Sequence, residues 1–369
     1  MNGMLGVAAI AAYGYFFLHA ESQTEVLGLV ALAVVGVPLL GRFGWLARVA
    51  ASLDAHRLLG RVAIALALAL VVALFRDQHF AMLMLASVLF YTVACLGLTI
   101  QFGYAGVVNF AGAAFLGVGG YSAAVLGPQV PHLVVLLIGG LLAAALGSIL
   151  ILPILRTRGH YAALITVAFG ILFRTFIEVN DALGGPQGLQ VKGMSLFGWE
   201  LNTPLSFLGA EWSFYANYVL AALAMTAAAF LLVRRLERSW VGLNFDAVRL
   251  DETACAVFGI DVARWKILAF TVGNFFAGVA GAAYAMMTGF VAPNSFTFGD
   301  SLIMVSIILL GGLGNAWGVA LAAAIVLVLP EKLQALQEYR FLLYALLVIA
   351  ILLVRPQGLV PRRPRDYFA

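Results

Sequence analysis

Charged residues are scarce in this sequence, where Asp, Glu, Lys and Arg together make up 10% of 369 residues. Soluble domains carry about 25% charged and about 45–50% apolar residues, whereas the apolar share here is 63%. A water-soluble fold of this length could not bury so much apolar surface. The composition therefore excludes a soluble globular protein. It predicts an all-α polytopic protein in a lipid bilayer, because spanning helices satisfy their own backbone hydrogen bonds.

Cysteine and histidine are also few, and the common catalytic motifs are missing. The two cysteines, Cys95 and Cys255, are too few for a disulfide framework. The five histidines are scattered at the ends of apolar runs, which favours interfacial packing over metal ligation. The sequence has no P-loop, nucleophile-elbow or zinc-protease motif. We therefore expect no enzyme activity, no metal and no cofactor bound by this chain.

The positive charge is concentrated between apolar runs. Of the 21 lysines and arginines, 16 fall in four clusters, at residues 42–61, 156–158, 234–266 and 355–365. This is the pattern of the positive-inside rule, in which short cytoplasmic loops carry the basic residues. We therefore predict that the four clusters and both termini lie in the cytoplasm. The same pattern gives no reason to expect nucleic-acid binding.

The long apolar runs predict about ten transmembrane helices, some of them broken or re-entrant. A full crossing needs about 20 residues, and the run at 302–329 is interrupted by the glycines of Gly311–Gly318. We divide the chain into residues 1–60, with apolar runs and a basic interfacial segment, and residues 61–369, with a cytoplasmic loop at 234–266. The predicted runs are 7–18, 26–40, 62–75, 80–100, 98–126, 133–155, 161–179, 214–233, 267–289, 302–329 and 341–354.

The stretch from Leu98 to Leu126 is apolar, yet it holds six glycines between Gly103 and Gly120 and a polar Asn109. Glycine in a helix costs up to about 1 kcal/mol relative to alanine, but it lets another backbone come close. Two interpretations stay open, tight helix packing and a broken helix that lines a solute path. The candidate residues for such a path are Asn109, Gly112, Gly117, Thr166 and Asn274.

Polar side chains within apolar runs have a simpler interpretation too. Thr166 and Asn274 each stand alone on an apolar helix, a position that usually makes an interhelical hydrogen bond. Arg174 and Glu178 are one helical turn apart. They either pair near the outer end of their helix, where long side chains reach water, or belong to a solute path.

A short amphipathic helix is predicted inside the basic loop at 234–266. Leu250, Ala254, Val257 and Phe258 recur at helical spacing, and Gly259 follows them. Glycine commonly ends a helix at this position. Such a helix over 250–258 is either a connector on the membrane surface or a docking helix for a groove in a soluble partner.

Four motifs follow one another along the chain: GYAGVVNFAGAAFLGVGGYSAAVL, RGHYAALITVAFGILFRTFIEVNDALGGPQGL, AVRLDETACAVFGIDVARWKILAF and ILLGGLGNAWGVALAAAIV. Together they resemble the motifs of LivM-type permeases of branched-chain amino acid ABC importers. The resemblance covers residues 80–360. Ala111-Gly112 stands where relatives often have Gly-His, and Thr253 and Cys255 replace expected helix formers.

The resemblance implies an ABC importer permease fold in a bacterial inner membrane and a function in amino acid uptake. It also implies four kinds of partner: a LivH-type permease, two ATPases of the LivG and LivF types that bind the ATP, a periplasmic substrate-binding protein and the bilayer. In such a family the segment around residues 249–259 docks onto the ATPase. The docking residues carried over are Arg249, Asp251, Glu252, Ala254 and Gly259.

Other functions are weighed against this one. The same kind of importer could carry urea, short amides or aromatic acids, because substrate affinity resides mostly in the binding protein. An ion-coupled secondary transporter needs buried acidic residues within its spans, and Glu178 is the candidate here. A membrane scaffold would not need the docking segment.

Overall fold

The computed structural model describes most of the chain between residues 70 and 332. Predictions that fall on residues 33–69, including the first basic cluster and the boundary at residue 60, lie outside the described residues. The same holds for nearly all of the last apolar run, 341–354. The described residues are 2–20, 22–26, 28–29, 32, 70–157, 161–196, 198–207, 210–332, 339, 342, 345–346, 349, 353, 357–360 and 362.

The described residues form an all-α membrane-protein fold, as the composition predicts. Six helical segments among them are long and apolar enough to cross a bilayer. The predicted count of about ten is therefore not confirmed. The helices are α1 (Asn2–His19), α2 (His79–Thr99), α3 (Gly112–Leu126), α4 (His132–Leu155), α5 (Tyr161–Val179), α6 (Tyr215–Glu237), α7 (Trp240–Leu250), α8 (Glu252–Val257), α9 (Val262–Thr288), α10 (Phe298–Gly311) and α11 (Ala316–Lys332).

Helix α9 lies at the centre and packs against α2, α3 and α4. Its glycines allow this, because a Cβ added at Gly278 or Gly281 would overlap backbone atoms of α4 or α3. Gly119 of α3 meets the Gly278 carbonyl in the same way. Since lipid tails are as apolar as the side chains, such close approach and its dispersion contacts are what hold spanning helices together.

Two spanning regions are broken, at positions that the glycines indicate. Helix α2 continues into a π-helix, Ile100–Tyr104, after which residues 105–111 are irregular until α3 begins. Helix α10 ends at Gly311, and α11 begins at Ala316. The run at 302–329 therefore consists of two short helices, which touch where a Cβ on Gly311 would meet the backbone of Gly318.

The stretch at 180–213, between the predicted runs 161–179 and 214–233, contains short strands that the sequence did not indicate. Two- or three-residue strands are too short to show an alternating pattern. Strand β1 pairs antiparallel with β6 in the register Leu189↔Val291, and the other pairs are β2 with β3 and β4 with β5. The strands are β1 (Leu189–Gln190), β2 (Ser195–Leu196), β3 (Trp199–Glu200), β4 (Leu205–Phe207), β5 (Ala210–Trp212) and β6 (Phe290–Val291).

The helix termini gather at two ends of the molecule. At the end that carries β1–β6, called the outer end here, His79 Nδ1 lies 2.7 Å from Ser213 Oγ and His132 Nδ1 lies 2.8 Å from Ser195 Oγ. The opposite, inner end carries α7 and α8. Arg249 and Arg362, from the third and fourth basic clusters, both lie there, in keeping with their predicted placement on one side.

Candidate functional site: a docking face and a buried amide cluster

The segment at the inner end is two helices, so the single helix predicted over 250–258 is wrong in its first turn. Leu250 ends α7, and Asp251 is extended, with φ −156° and ψ 103°. The Asp251 carboxylate accepts hydrogen bonds of 2.9 Å from the backbone N–H groups of Thr253 and Ala254. Because this cap satisfies the free N–H groups of a new helix, α8 starts afresh after Asp251.

Three apolar side chains of this segment point into solvent. Leu250, Val257 and Phe258 are 81%, 80% and 84% exposed, whereas Cys255 of the same segment is buried. We call Leu250, Val257 and Phe258 the docking face. Large exposed apolar groups mark a surface that either another protein or the membrane covers.

Gly259 closes the segment, as the sequence predicts. Its φ is +79°, and a Cβ at this position would meet nothing within 4 Å. The backbone N–H of Ile260 donates to the Cys255 carbonyl over 2.9 Å, a hydrogen bond typical of a glycine-capped helix end. Glycine is therefore required here by backbone conformation and not by space.

Arg249 and Glu252, two of the other predicted docking residues, make contacts within the chain, although the Glu252 side chain stays 56% exposed. The Lys266 ammonium donates to Glu252 Oε1 over 2.5 Å, which ties α8 to α9. Arg249 donates to the carbonyl of Gly103 in the π-helix. Ala254 is half-buried on α8. These residues hold the segment in place, and the exposed apolar surface belongs to the docking face.

A cluster of three amide side chains is buried beside the π-helix. Gln101, Asn109 and Asn274 are each fully buried. Asn109 Nδ2 donates to Gln101 Oε1 over 2.8 Å and to Asn274 Oδ1 over 3.1 Å. Gln101 Nε2 donates to Asn274 Oδ1 over 3.0 Å. We call these three residues the amide cluster.

The amide cluster joins the broken segment to the central helix. Gln101 also donates to the Phe270 carbonyl of α9 over 3.1 Å, and Asn109 Oδ1 accepts from the Ala111 N–H over 2.9 Å. Irregular backbone within a membrane protein needs such partners for its polar groups. Sequence analysis found Asn109 and Asn274 but missed Gln101. Gln101 could have been noticed as an amide side chain within an apolar run. Its partner on α9, Asn274, is remote in sequence.

The remaining candidate path residues lie around the same break. Thr166 Oγ1 on α5 accepts a hydrogen bond of 3.0 Å from the N–H of Phe110, next to Asn109. Gly112 and Gly117 on α3 face other side chains, among them Leu98 for Gly112 and Phe173 for Gly117. Asn274 on α9 therefore bonds across to Gln101 of the π-helix, whereas Thr166 binds α5 to the irregular segment. A role in a solute path stays a prediction for all five residues.

Arg174 and Glu178 pair with each other near the outer end, as their spacing predicts. Arg174 Nε lies 3.9 Å from Glu178 Oε2, and the two side chains are 40% and 47% exposed. Arg174 Nη2 also donates to Asn294 Oδ1 over 3.0 Å. An exposed, paired carboxylate lacks the burial that coupling to an ion within a span requires.

Known proteins resemble this chain over most of its length. The family described as branched-chain amino acid transport system / permease component matches residues 80–354. The high-affinity branched-chain amino acid transport system permease protein LivM of Escherichia coli K12 is 34% identical over 289 residues, which cover 73% of this chain and 68% of the relative.

Two more distant relatives extend the likeness. The probable branched-chain amino acid transport permease protein LivM of Methanocaldococcus jannaschii is 24% identical over 328 residues, with 74% of this chain and 91% of the relative covered. The LivH permease protein of Escherichia coli K12 is 23% identical over 294 residues, with the same two coverages. No solved structure matches this chain.

Proposed function

Because this chain belongs to the family of permease components of branched-chain amino acid transport systems, we propose that it is a membrane subunit of an ATP-driven importer. The solute is a branched-chain or related amino acid, and the membrane is a bacterial inner membrane. The chain itself is a transport subunit and not an enzyme. Its partners are a second, LivH-like permease, two ATPase subunits and an external substrate-binding protein.

The docking face is the observation that carries this proposal. Burying a Leu, Val or Phe side chain is worth about 1.5–3 kcal/mol relative to leaving it exposed. A short helix with an apolar face typically lies in a hydrophobic groove of its partner. The sequence contains no nucleotide-binding motif, so ATP hydrolysis needs separate subunits. The docking face is the surface through which such a subunit can bind the permease and move it.

The outer end supports delivery of solute by a binding protein. The loop at 180–213 and the segment at 291–298 are the two regions that we propose for this contact. In the structure, pairing of β1 with β6 joins them through Leu189 and Val291. A binding protein that contacts the loop at 180–213 is therefore connected, through this strand pair, to the element that leads into α10.

The solute path passes beside the broken segment at 105–111 in this proposal. Asn109 and Asn274 hold that segment against α9 in the structure, and Thr166 holds it against α5. Opening of the path means that some of these hydrogen bonds exchange partners. Amide side chains suit this role because each offers both donors and an acceptor.

Uptake into living cells tests the energy source. The gene is deleted in a strain that also lacks its ATP synthase, so that the ATP pool and the ion gradient can be changed separately. Uptake of labelled leucine should disappear on deletion and return with the gene. The rate of uptake should depend on the ATP pool and should persist when an uncoupler dissipates the ion gradient. Uptake that follows the ion gradient instead contradicts an ATP-driven importer.

Competition in the same assay tests the substrate class. Unlabelled isoleucine and valine should compete with labelled leucine, whereas urea, short amides and aromatic amino acids should not. If urea or an aromatic acid is the effective competitor, the result agrees with an ATP-driven importer but contradicts branched-chain amino acids as its substrates.

A further inference from the structure

The described residues of the C-terminal tail fold back onto the inner end. The backbone N–H groups of Leu359 and Val360 donate to the carbonyls of Leu310 and Gly311, over 2.8 and 3.1 Å. These are carbonyls at the end of α10 that the helix itself leaves free. The tail is thereby fixed where α10 and α11 meet, and Arg362 is brought beside α7.

Arg362 connects three separate elements. Its Nη1 and Nη2 donate to the two carboxylate oxygens of Asp246 on α7, over 2.6 and 2.8 Å. Its guanidinium carbon lies 4.4 Å from the centre of the Tyr104 ring, which ends the π-helix. Its Nε lies 3.6 Å from Glu237 Oε1 at the end of α6. One planar side chain therefore touches α6, α7 and the π-helix.

The environment makes this contact rigid. The side chains of Arg362 and Asp246 are only 12% and 16% exposed. Burial acts to lower the pKa of Arg362, but the hydrogen bonds and charge of Asp246 outweigh it and raise that pKa. A two-pronged arginine–carboxylate pair fixes the relative orientation of its elements, which a single lysine contact cannot do.

A second contact runs in parallel. Arg249, at the C-terminal end of α7, donates to the carbonyl of Gly103, and its side chain also packs against Gly106. Helix α7 is thus attached to the π-helix and to the irregular segment by Arg249, and to the end of the π-helix by Arg362. The docking face begins at Leu250, at the same C-terminal end of α7 as Arg249, and continues with Val257 at the end of α8 and Phe258 directly after it.

We propose that Arg362 is a positioning residue that transmits movement of α7 and α8 to the π-helix and the broken segment behind it. The inference rests on the proposed function, in which an ATPase moves the docking face. A π-helix is a rare local irregularity that is frequent at functional sites, and this one leads directly into residues 105–111, so a rigid contact at its end can shift them. The tail thereby becomes part of the coupling between hydrolysis and transport.

The test is the ratio of uptake to ATP hydrolysis in liposomes that contain the complete transporter. Arg362→Ala should still assemble with the ATPase subunits and hydrolyse ATP. Its uptake per ATP should fall about fivefold or more, the usual size of coupling between sites. Arg362→Lys, which keeps the charge but not the fork, should lie between Arg362→Ala and the wild type.

The matched control is Arg76→Ala at the outer end. Arg76 also pairs with an aspartate, Asp77, but those side chains are 46% and 67% exposed. Exposed pairs of this kind contribute little, so Arg76→Ala should leave uptake per ATP at the wild-type value. An equal loss in both arginine variants overturns the inference.

A double variant separates coupling from simple folding. If Arg362 and Asp246 act as one contact, Arg362→Ala with Asp246→Ala should lose no more coupling than either change alone. Losses that add, or a lower yield of complex at unchanged uptake per ATP, show that Arg362 only secures the tail. A wild-type complex without ATP-dependent uptake is a different failure, since it contradicts the proposed function first.

Discussion

Gly259 is a residue whose role depends on backbone conformation alone. Its φ of +79° is costly for residues with a Cβ, and no neighbour would obstruct a Cβ there. Gly259→Ala and Gly259→Val should each destabilise the α8 terminus by about 1–2 kcal/mol, or about 5–30-fold in its population. Gly259→Asn should cost less, because asparagine adopts this conformation more readily. Pull-down of the ATPase subunits measures the effect. A Gly259→Asn protein that binds these subunits more weakly than the alanine and valine variants would contradict the prediction.

Asn274 is a residue whose loss leaves other buried groups without partners. Its Oδ1 accepts from both Gln101 and Asn109. Asn274→Ala should therefore lower the free energy of unfolding by about 1–3 kcal/mol. Unfolding of the purified protein in mild detergent measures this. Asn294→Ala, at an exposed acceptor on the outer end, is the control and should change stability by less than about 0.5 kcal/mol. An Asn274→Ala protein that is as stable as the Asn294→Ala control would mean that the amide cluster contributes no stability.

At the scale of elements, the sequence indicates most spanning helices well. The run predicted at 161–179 coincides with α5, and the run at 133–155 differs from α4 by one residue. Hydropathy is a local property, so a bilayer-length run shows itself without knowledge of its neighbours. The break after Leu250 was missed because helical spacing continues across it. Helices α7 and α8 are separated by the single residue Asp251, whose carboxylate caps the start of α8.

Close helix packing is one of the two interpretations left open for the glycine stretch, and its tightest contact is made by Gly119, which is not among the candidate path residues. Gly112, Gly117 and Gly120 approach side chains, whereas Gly119 approaches the backbone carbonyl of Gly278. A sequence gives the density of glycines along a helix. It does not give the rotation of that helix, on which each contact depends.

A Gly119→Ala substitution tests this packing. The added Cβ would overlap a backbone oxygen, so α3 and α9 must move apart, at a cost of about 1–3 kcal/mol. Gly170→Ala on α5 is the control, because a Cβ there meets nothing within 4 Å. It should be neutral or stabilise the helix by up to about 1 kcal/mol. Thermal unfolding in detergent compares the two, and a Gly119→Ala protein as stable as Gly170→Ala would contradict the observed packing.

At the scale of the whole molecule, the contacts on which the proposed coupling rests join residues that are remote in sequence. Asn109 and Asn274, or Asp246 and Arg362, meet only after folding. Gln101 was therefore missed, and Arg362 was predicted only as a member of the fourth basic cluster. The class of protein follows from composition and motifs. The connections through which it works follow from tertiary structure.

Helix α8 is also held from inside the molecule, which sharpens one prediction. Glu252 binds Lys266 over 2.5 Å, so Glu252→Arg both reverses a charge and places two cations side by side. It should weaken ATPase binding with membrane insertion unchanged. Adding Lys266→Glu should restore part of the binding if the pair positions α8, and pull-down measures this. Absence of any restoration would mean that Glu252 contacts the ATPase directly.

The most direct test of the account is transport by a reconstituted complex whose permease carries Phe258→Ala. Phe258 is 84% exposed, so its truncation should leave the fold and membrane insertion unchanged. Loss of about 1.5–3 kcal/mol of buried apolar contact should reduce ATPase binding and leucine uptake by about tenfold or more. Phe176→Ala, at a 61% exposed residue of α5, should behave as the wild type. Wild-type binding, hydrolysis and uptake in Phe258→Ala would contradict the assignment of the docking face as the contact with the ATPase.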